Sequence, residues 1–218
     1  MIDKTLFKTM SFFNDIGDET LEKLSQIATL KNRVAADILF YEKDDKDDIF
    51  YLYEGSVKFY KVDRFDSEIF LYKVSSNSII FNTTKLCDEH TISCYANAEF
   101  MENSKIITFD NAKFRELMHG DYDFMKTILR ESFKMIQQLQ CIISRDVVFD
   151  GTAKVAHMLA NDLNNFNTLK KHETAYMLHI QPETLSRILK KLTRNGVIEI
   201  EKNSVKILNF DDLKAIYE

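Results

Sequence analysis

Residues 172–196 read His172-Glu173-Thr174-Ala175-Tyr176-Met177-Leu178-His179-Ile180-Gln181-Pro182-Glu183-Thr184-Leu185-Ser186-Arg187-Ile188-Leu189-Lys190-Lys191-Leu192-Thr193-Arg194-Asn195-Gly196. The stretch predicts two short helices with a break at His179-Ile180-Gln181. Pro182 suits a first helical position, where its missing N–H would be unpaired anyway. Leu185, Ile188, Leu189 and Leu192 fall on one face, and Glu183, Ser186, Arg187, Lys190 and Arg194 fall opposite. Gly196 closes the second helix as a left-handed cap. A short helix, a tight turn and a helix with polar residues near its N-terminus make a helix-turn-helix pattern. Val197–Ile200 and Val205–Leu208, flanking the turn Glu201-Lys202-Asn203-Ser204, add a two-stranded wing.

The elements around this motif complete a domain. Ala153, Val155, Ala156, Leu159, Ala160 and Leu163 predict one helix before it, and Asp211–Tyr217 a last helix after it. Further upstream, Met125, Ile128, Ser132, Met135, Leu139 and Ile142 step by 3, 4, 3, 4 and 3 along a helix from Asp121 to Arg145. That is an a/d seam suited to a second copy of the chain. A second stripe, Leu129, Phe133, Ile136 and Ile143, lies beside it. Two adjacent apolar stripes fit either a buried core helix or a helix with one stripe on the chain's own β domain and the other on a second copy of the chain.

From Lys31 to Asp110 short β-branched and aromatic runs alternate with polar breaks. They are Ile38–Tyr41, Ile49–Tyr53, Val57–Tyr60, Ile69–Tyr72, Ile79–Phe81, Ile92–Ala96 and Ile106–Phe109. They predict a β-roll or sandwich with turns at Glu54-Gly55 and Asp63–Asp66. Short helices precede it: Leu21, Leu24, Ile27 and Ala28 share one face, with Asp18 as a candidate cap. A short helix from Asn111 to Met118 follows it. The fold class is α+β: a β-roll over 1–120, a long helix and hinge over 121–146, and a winged helix-turn-helix over 147–218.

The Pro182–Leu192 segment resembles the recognition helix of the CRP/FNR family of bacterial transcription regulators. The order of parts extends the resemblance to the whole chain, with Ile38–Tyr60 similar to the opening strands of a cyclic-nucleotide-binding-type β-roll. The resemblance implies that Glu183, Ser186 and Arg187 contact bases, Glu183 accepting from cytosine and Arg187 donating to guanine or phosphate. Glu, Ser and Arg at these places go with TTGA-type half-sites in the FNR branch. Pro182 stands where the CRP branch has an arginine. Lys190, Lys191 and Arg194 are expected at phosphates, which set affinity and not sequence. The implied protein is a cytoplasmic homodimer on a palindromic operator. It acts in anaerobic, nitrosative or redox stress, with RNA polymerase a further partner if it activates.

The same comparison limits the signal. In CRP a Gly-Glu pair and then an Arg-Ser pair hold cyclic AMP; here Phe81-Asn82 and Ile92-Ser93 stand in those places. Without the arginine there is no cation for the phosphate, so cyclic AMP is not expected. FNR-type iron–sulfur ligation needs four cysteines, and this chain has three, Cys87, Cys94 and Cys141. Haem stays open, with His90, His119 and His157 as axial candidates. Cys87, Cys94 and His90 form a candidate sensor segment, read either as redox thiols or as small buried side chains. A cupin-like metalloenzyme would need a His cluster, and the β region holds His90 alone, so no metal site and no enzyme is expected. A protein-binding winged domain and a cyclic-nucleotide-responsive regulator are the alternatives.

Composition fits this reading once it is divided. The 218 residues carry a net charge of −5. Residues 147–218 hold 10 Lys+Arg against 9 Asp+Glu, a net of +1, so the acidity belongs to residues 1–146. No apolar run of membrane-spanning length occurs. Cysteine without paired spacing suits a reducing compartment.

Overall fold

The computed structural model describes residues 2–46, 48–80, 94–201 and 204–218. The chain divides into two compact units, Met1–Gln137 and Gln138–Glu218. Among the described residues no helix is long and apolar enough to cross a membrane.

The first unit opens with α1 (Lys4–Phe7), a 3₁₀ turn (Ser11–Phe13) and α2 (Asp18–Ile27). Gly17, not Asp18, is the cap of α2; Asp18 and Glu19 sit in its first turn, where they meet the positive end of the helix dipole. Ala28 does not extend the α2 face. It opens β1 (Ala28–Arg33), a strand that the sequence did not predict. β1 is a polar edge strand, buried only at Ala28 and paired with one neighbour, so it lacks the apolar alternation of an inner strand.

The other strands are β2 (Ile38–Phe40), β3 (Asp48–Glu54), β4 (Ser56–Val62), β5 (Glu68–Ser75), β6 (Ser78–Ile80), β7 (Asn97–Phe100) and β8 (Ser104–Asp110). Among the described residues they form two antiparallel sheets, in the orders β1-β8-β3-β6 and β2-β7-β4-β5. β3 shows how the layers stack. Ile49 and Tyr51 join a core with Phe7, Phe13, Leu24 and Phe109. Phe50, pointing the other way, packs against Phe40 of the second sheet at 6.0 Å between ring centres. A strand covered on both faces loses the polar alternation of a half-exposed one, which is why Ile49–Tyr53 reads as an unbroken apolar run.

The predicted strand Ile92–Ala96 is corrected. Cys94–Ala96 are not in a strand, and β7 starts at Asn97. Phe81, Asn82, Cys87, His90, Ile92 and Ser93 lie outside the described residues. The predicted turns stand where expected. Asp63 accepts backbone N–H bonds from Phe65 at 2.8 Å and Ser67 at 3.0 Å, closing the β4–β5 hairpin. Gly55 joins β3 to β4 at φ 95°, and a Cβ there would lie 2.9 Å from the Ser104 Cα. Gly55→Ala is therefore expected to cost about 3 kcal/mol or more, from left-handed strain plus overpacking against β8. A thermal melt of the full chain measures it.

α3 (Asn111–Gly120) is capped by Asp110, which accepts from the Lys113 N–H at 2.9 Å. α4 (Tyr122–Ile143) is the long helix, and its first turns bury Phe124, Thr127 and Ile128. The second unit continues through a π-helical turn, Ser144–Val148, to α5 (Gly151–Asn161), α6 (Leu163–Thr168), α7 (Lys171–Met177) and α8 (Pro182–Arg194). β9 (Ile198–Glu201), β10 (Ser204–Ile207) and α9 (Phe210–Lys214) end it. The single helix predicted through Leu163 is two helices, broken at Asp162, whose ψ of 47° is not helical. Asn161-Asp162 is a poor helix-forming pair, and Leu163 starts α6.

Candidate nucleic-acid interface

α8 is fixed from one side only. Leu185, Ile188, Leu189 and Leu192 are buried in a core shared with Val155, Leu159, Ala175, Val197 and Leu213. Pro182 is its first residue. Its C-terminus closes by paired bonds, Gly196 N–H to Thr193 O at 3.0 Å and Val197 N–H to Leu192 O at 3.1 Å, with Gly196 at φ 71°. That is the Schellman arrangement expected of a glycine in this place.

The turn before α8 is set by backbone. Ile180 N–H donates to Ala175 O at 3.0 Å, and His179 takes φ 54°. His179 thus takes the left-handed conformation at the break between the two helices. α7 is held at its start by Glu173, whose carboxylate accepts from the Lys170 N–H at 2.7 Å.

The opposite face of α8 is polar and open. Glu183, Arg187, Lys190, Lys191 and Arg194 are exposed and Ser186 is half-buried. These six line one continuous depression. Arg187 has a weak 3.4 Å contact to the Thr184 hydroxyl. Among the described residues no carboxylate is paired with Arg187, Lys190, Lys191 or Arg194. Four cations on one helix face with no carboxylate partner among the described residues keep their charge for an external anion. Glu183, near the helix start, and the cations toward its end also match the helix dipole.

One positioning residue gave no signal in the sequence. Asn167, in the last turn of α6, clamps Val205 of the wing with both atoms of its amide: its Oδ1 accepts from Val205 N–H at 2.7 Å, and its Nδ2 donates to Val205 O at 3.0 Å. The partners are 38 residues apart, so no local pattern could reveal the pair.

The seam residues divide. Ile128, 6% exposed, belongs to the core of its own unit and is not open to a partner. Met125 is exposed, while Ser132, Met135, Leu139 and Ile142 are half-buried. The neighbouring stripe is the open one: Leu129, Phe133, Ile136 and Ile143 are 56%, 58%, 49% and 61% exposed. Met125, Leu129, Ser132, Ile136, Leu139 and Ile143 step by 4, 3, 4, 3 and 4 along the more open side of the helix, keeping Met125, Ser132 and Leu139 of the predicted seam and replacing Ile128, Met135 and Ile142. Among the sensor candidates, Cys94 is buried and its backbone pairs with Lys43 and Asp44. His119 is exposed at the end of α3. His157 is half-buried against Phe149 and Tyr217 rings, and burial pushes it below the usual imidazole range.

Residues 153–216 match the family described as the Crp-like helix-turn-helix domain. No curated protein sequence matches the chain. The fold is shared with solved structures along nearly the whole length. A CooA mutant from Carboxydothermus hydrogenoformans is 18% identical with a TM-score of 0.74, covering 98% of this chain and 95% of its own. FixK2 from Bradyrhizobium japonicum is 12% identical with a TM-score of 0.69, covering 88% and 98%. A CRP-family transcriptional regulator from Thermus thermophilus is 16% identical with a TM-score of 0.65, covering 86% and 96%. At these identities the likeness is one of fold.

Proposed function

We propose that this chain, a transcription regulator of the CRP/FNR type by its C-terminal domain and its fold, works as a homodimer on a palindromic operator. The observation that carries the reading is the α8 face. Base-reading side chains, Glu183, Ser186 and Arg187, stand near the helix start, and unpaired cations, Lys190, Lys191 and Arg194, follow them. In the major groove Arg187 would donate to guanine and Glu183 accept from cytosine, with the lysines and Arg194 on phosphates. Two copies paired through α4 would present two such helices about one DNA turn, roughly 34 Å, apart.

Residues 1–120 are assigned to sensing, 121–146 to dimerisation and 147–218 to DNA binding. TTGA-like half-sites and control of anaerobic or nitrosative stress genes in the cytoplasm complete the reading, with RNA polymerase as partner where it activates. No enzymatic activity is assigned. Selection from a random duplex pool tests it. The expected product is an inverted repeat of TTGA-like half-sites bound with a steep salt dependence. A pool that shows no enrichment overturns it.

A further inference from the structure

The packing around the wing leaves a cavity of about 450 Å³ in the second unit, between α6, the start of α7, α8 and the β9–β10 ribbon. That volume falls among pockets that hold small molecules, about 300–1,000 Å³. Its floor is apolar. Phe166, Leu185, Leu189 and Val205 are buried and belong to the core of the unit, and Leu169 is packed against them. Val205 lies directly opposite Ile200 across the wing, so the two side chains share one face of the ribbon. Val205 is covered, whereas Ile200 is 44% exposed. The cavity thus runs from the core to an apolar rim open to water.

The neutral polar groups of the lining are engaged within the domain. Asn167 accepts from the Val205 N–H at 2.7 Å and donates to its carbonyl at 3.0 Å. The Thr174 hydroxyl donates to Lys170 O at 3.3 Å, and the Thr168 hydroxyl to Asn165 O at 3.0 Å. What remains is charge. Lys170 and Lys171 line the same cavity and are exposed, and among the described residues neither ammonium is paired with a carboxylate. An apolar floor below two unpaired ammonium groups fits a ligand with an apolar body and an anionic head. The body takes apolar surface out of water, and the head meets its counter-charge. A bare phosphate would use the lysines and leave the floor wet. We propose that this cavity binds a small amphipathic carboxylate, with its chain against Phe166, Leu185, Leu189 and Ile200 and its carboxylate at Lys170 and Lys171.

The site is distinct from the polar face of α8. Leu185 and Leu189 belong to the opposite, buried face of that helix, so the ligand would sit behind the side chains assigned to DNA. Any effect of the ligand on operator binding rests on the regulator reading; binding of the ligand itself does not.

Decanoate below its micelle-forming concentration is the probe, with decanol, acetate and inorganic phosphate beside it. Titration of the full chain without DNA, followed by calorimetry and methyl NMR, is expected to show saturable binding of decanoate, with shifts at the methyl groups of Leu185, Leu189 and Val205. Decanol is expected to bind more weakly at the same methyl groups, and acetate and phosphate not at all. Lys170→Gln combined with Lys171→Gln is expected to weaken decanoate on the order of ten-fold and to leave decanol unchanged. Ile200→Glu, an exposed change that places a carboxylate at the rim, is expected to weaken decanoate at least as much. Decanoate shifts confined to other parts of the chain, or phosphate bound as tightly as decanoate, overturn the proposal. So does a lysine variant that weakens decanol as much as decanoate, or leaves both unchanged. Failure of the chain to bind an operator leaves each of these results intact.

Discussion

Arg187→Ala is expected to abolish specific operator binding while leaving the chain folded and its oligomeric state unchanged. Arg187 is exposed on α8, and its polar contact among the described residues is the weak one to the Thr184 hydroxyl, so its removal leaves no buried partner orphaned. Alanine is the best helix former, and an exposed change of this kind stays within about 0.5 kcal/mol of stability. The loss on DNA is far larger. A bidentate arginine–guanine pair discriminates by about 1–3 kcal/mol, and a symmetric dimer loses it in both half-sites. The combined effect is about 2–6 kcal/mol, roughly 30-fold to 10⁴-fold in affinity at fixed salt. Anisotropy titrations with the selected operator and a scrambled duplex measure it. If Arg187 touches phosphate alone, both duplexes weaken equally and the salt slope falls by about one per copy. Unchanged affinity for both duplexes removes Arg187 from the interface. Arg187→Lys is expected to fall between, since an ammonium cannot reproduce the planar fork.

The C-terminal elements were legible because their signals are local. Pro182, the Leu185–Leu192 stripe and Gly196 mark the start, buried face and end of α8 within fifteen residues, and the helix falls on Pro182–Arg194. β3, β4, β5 and β8 were legible for a related reason: their aromatic and β-branched residues fill the space within and beneath two sheets. β1 was not, since a polar edge strand is defined by the neighbour it joins and not by its own side chains. The Asn167 clamp on the wing is a contact across 38 residues and has no local mark. In the site itself the residue types were readable, but which residues of the α4 stripes are buried in the chain's own core was not. Both stripes have helical spacing, and only packing shows that Phe124, Thr127 and Ile128 are taken by the chain's own core.

The open side of α4 yields the second large effect. Leu129→Glu combined with Ile136→Glu is expected to convert the proposed dimer to monomers and to remove operator binding with it. Both side chains are about half exposed in the single chain, so what they bury must come from a partner. Burying a Leu or Ile side chain fully contributes about 1.5–3 kcal/mol, and these are already half-buried, so about 1 kcal/mol each is a fair share. A two-fold interface counts each change twice, giving about 4 kcal/mol before the glutamates are considered. Carboxylates brought together across the axis add repulsion and desolvation, so a loss of at least about 10³-fold in association is expected. Sedimentation velocity of the full chain measures it. The control is Ile128→Ala, a seam residue by spacing alone. Its side chain fills the core of the first unit, so it is expected to cost about 2–5 kcal/mol of stability. At temperatures where that variant stays folded, its dimer should persist. A dimer that survives Leu129→Glu/Ile136→Glu but separates with Met135→Glu/Ile142→Glu would restore the register read from spacing and overturn the one drawn from burial.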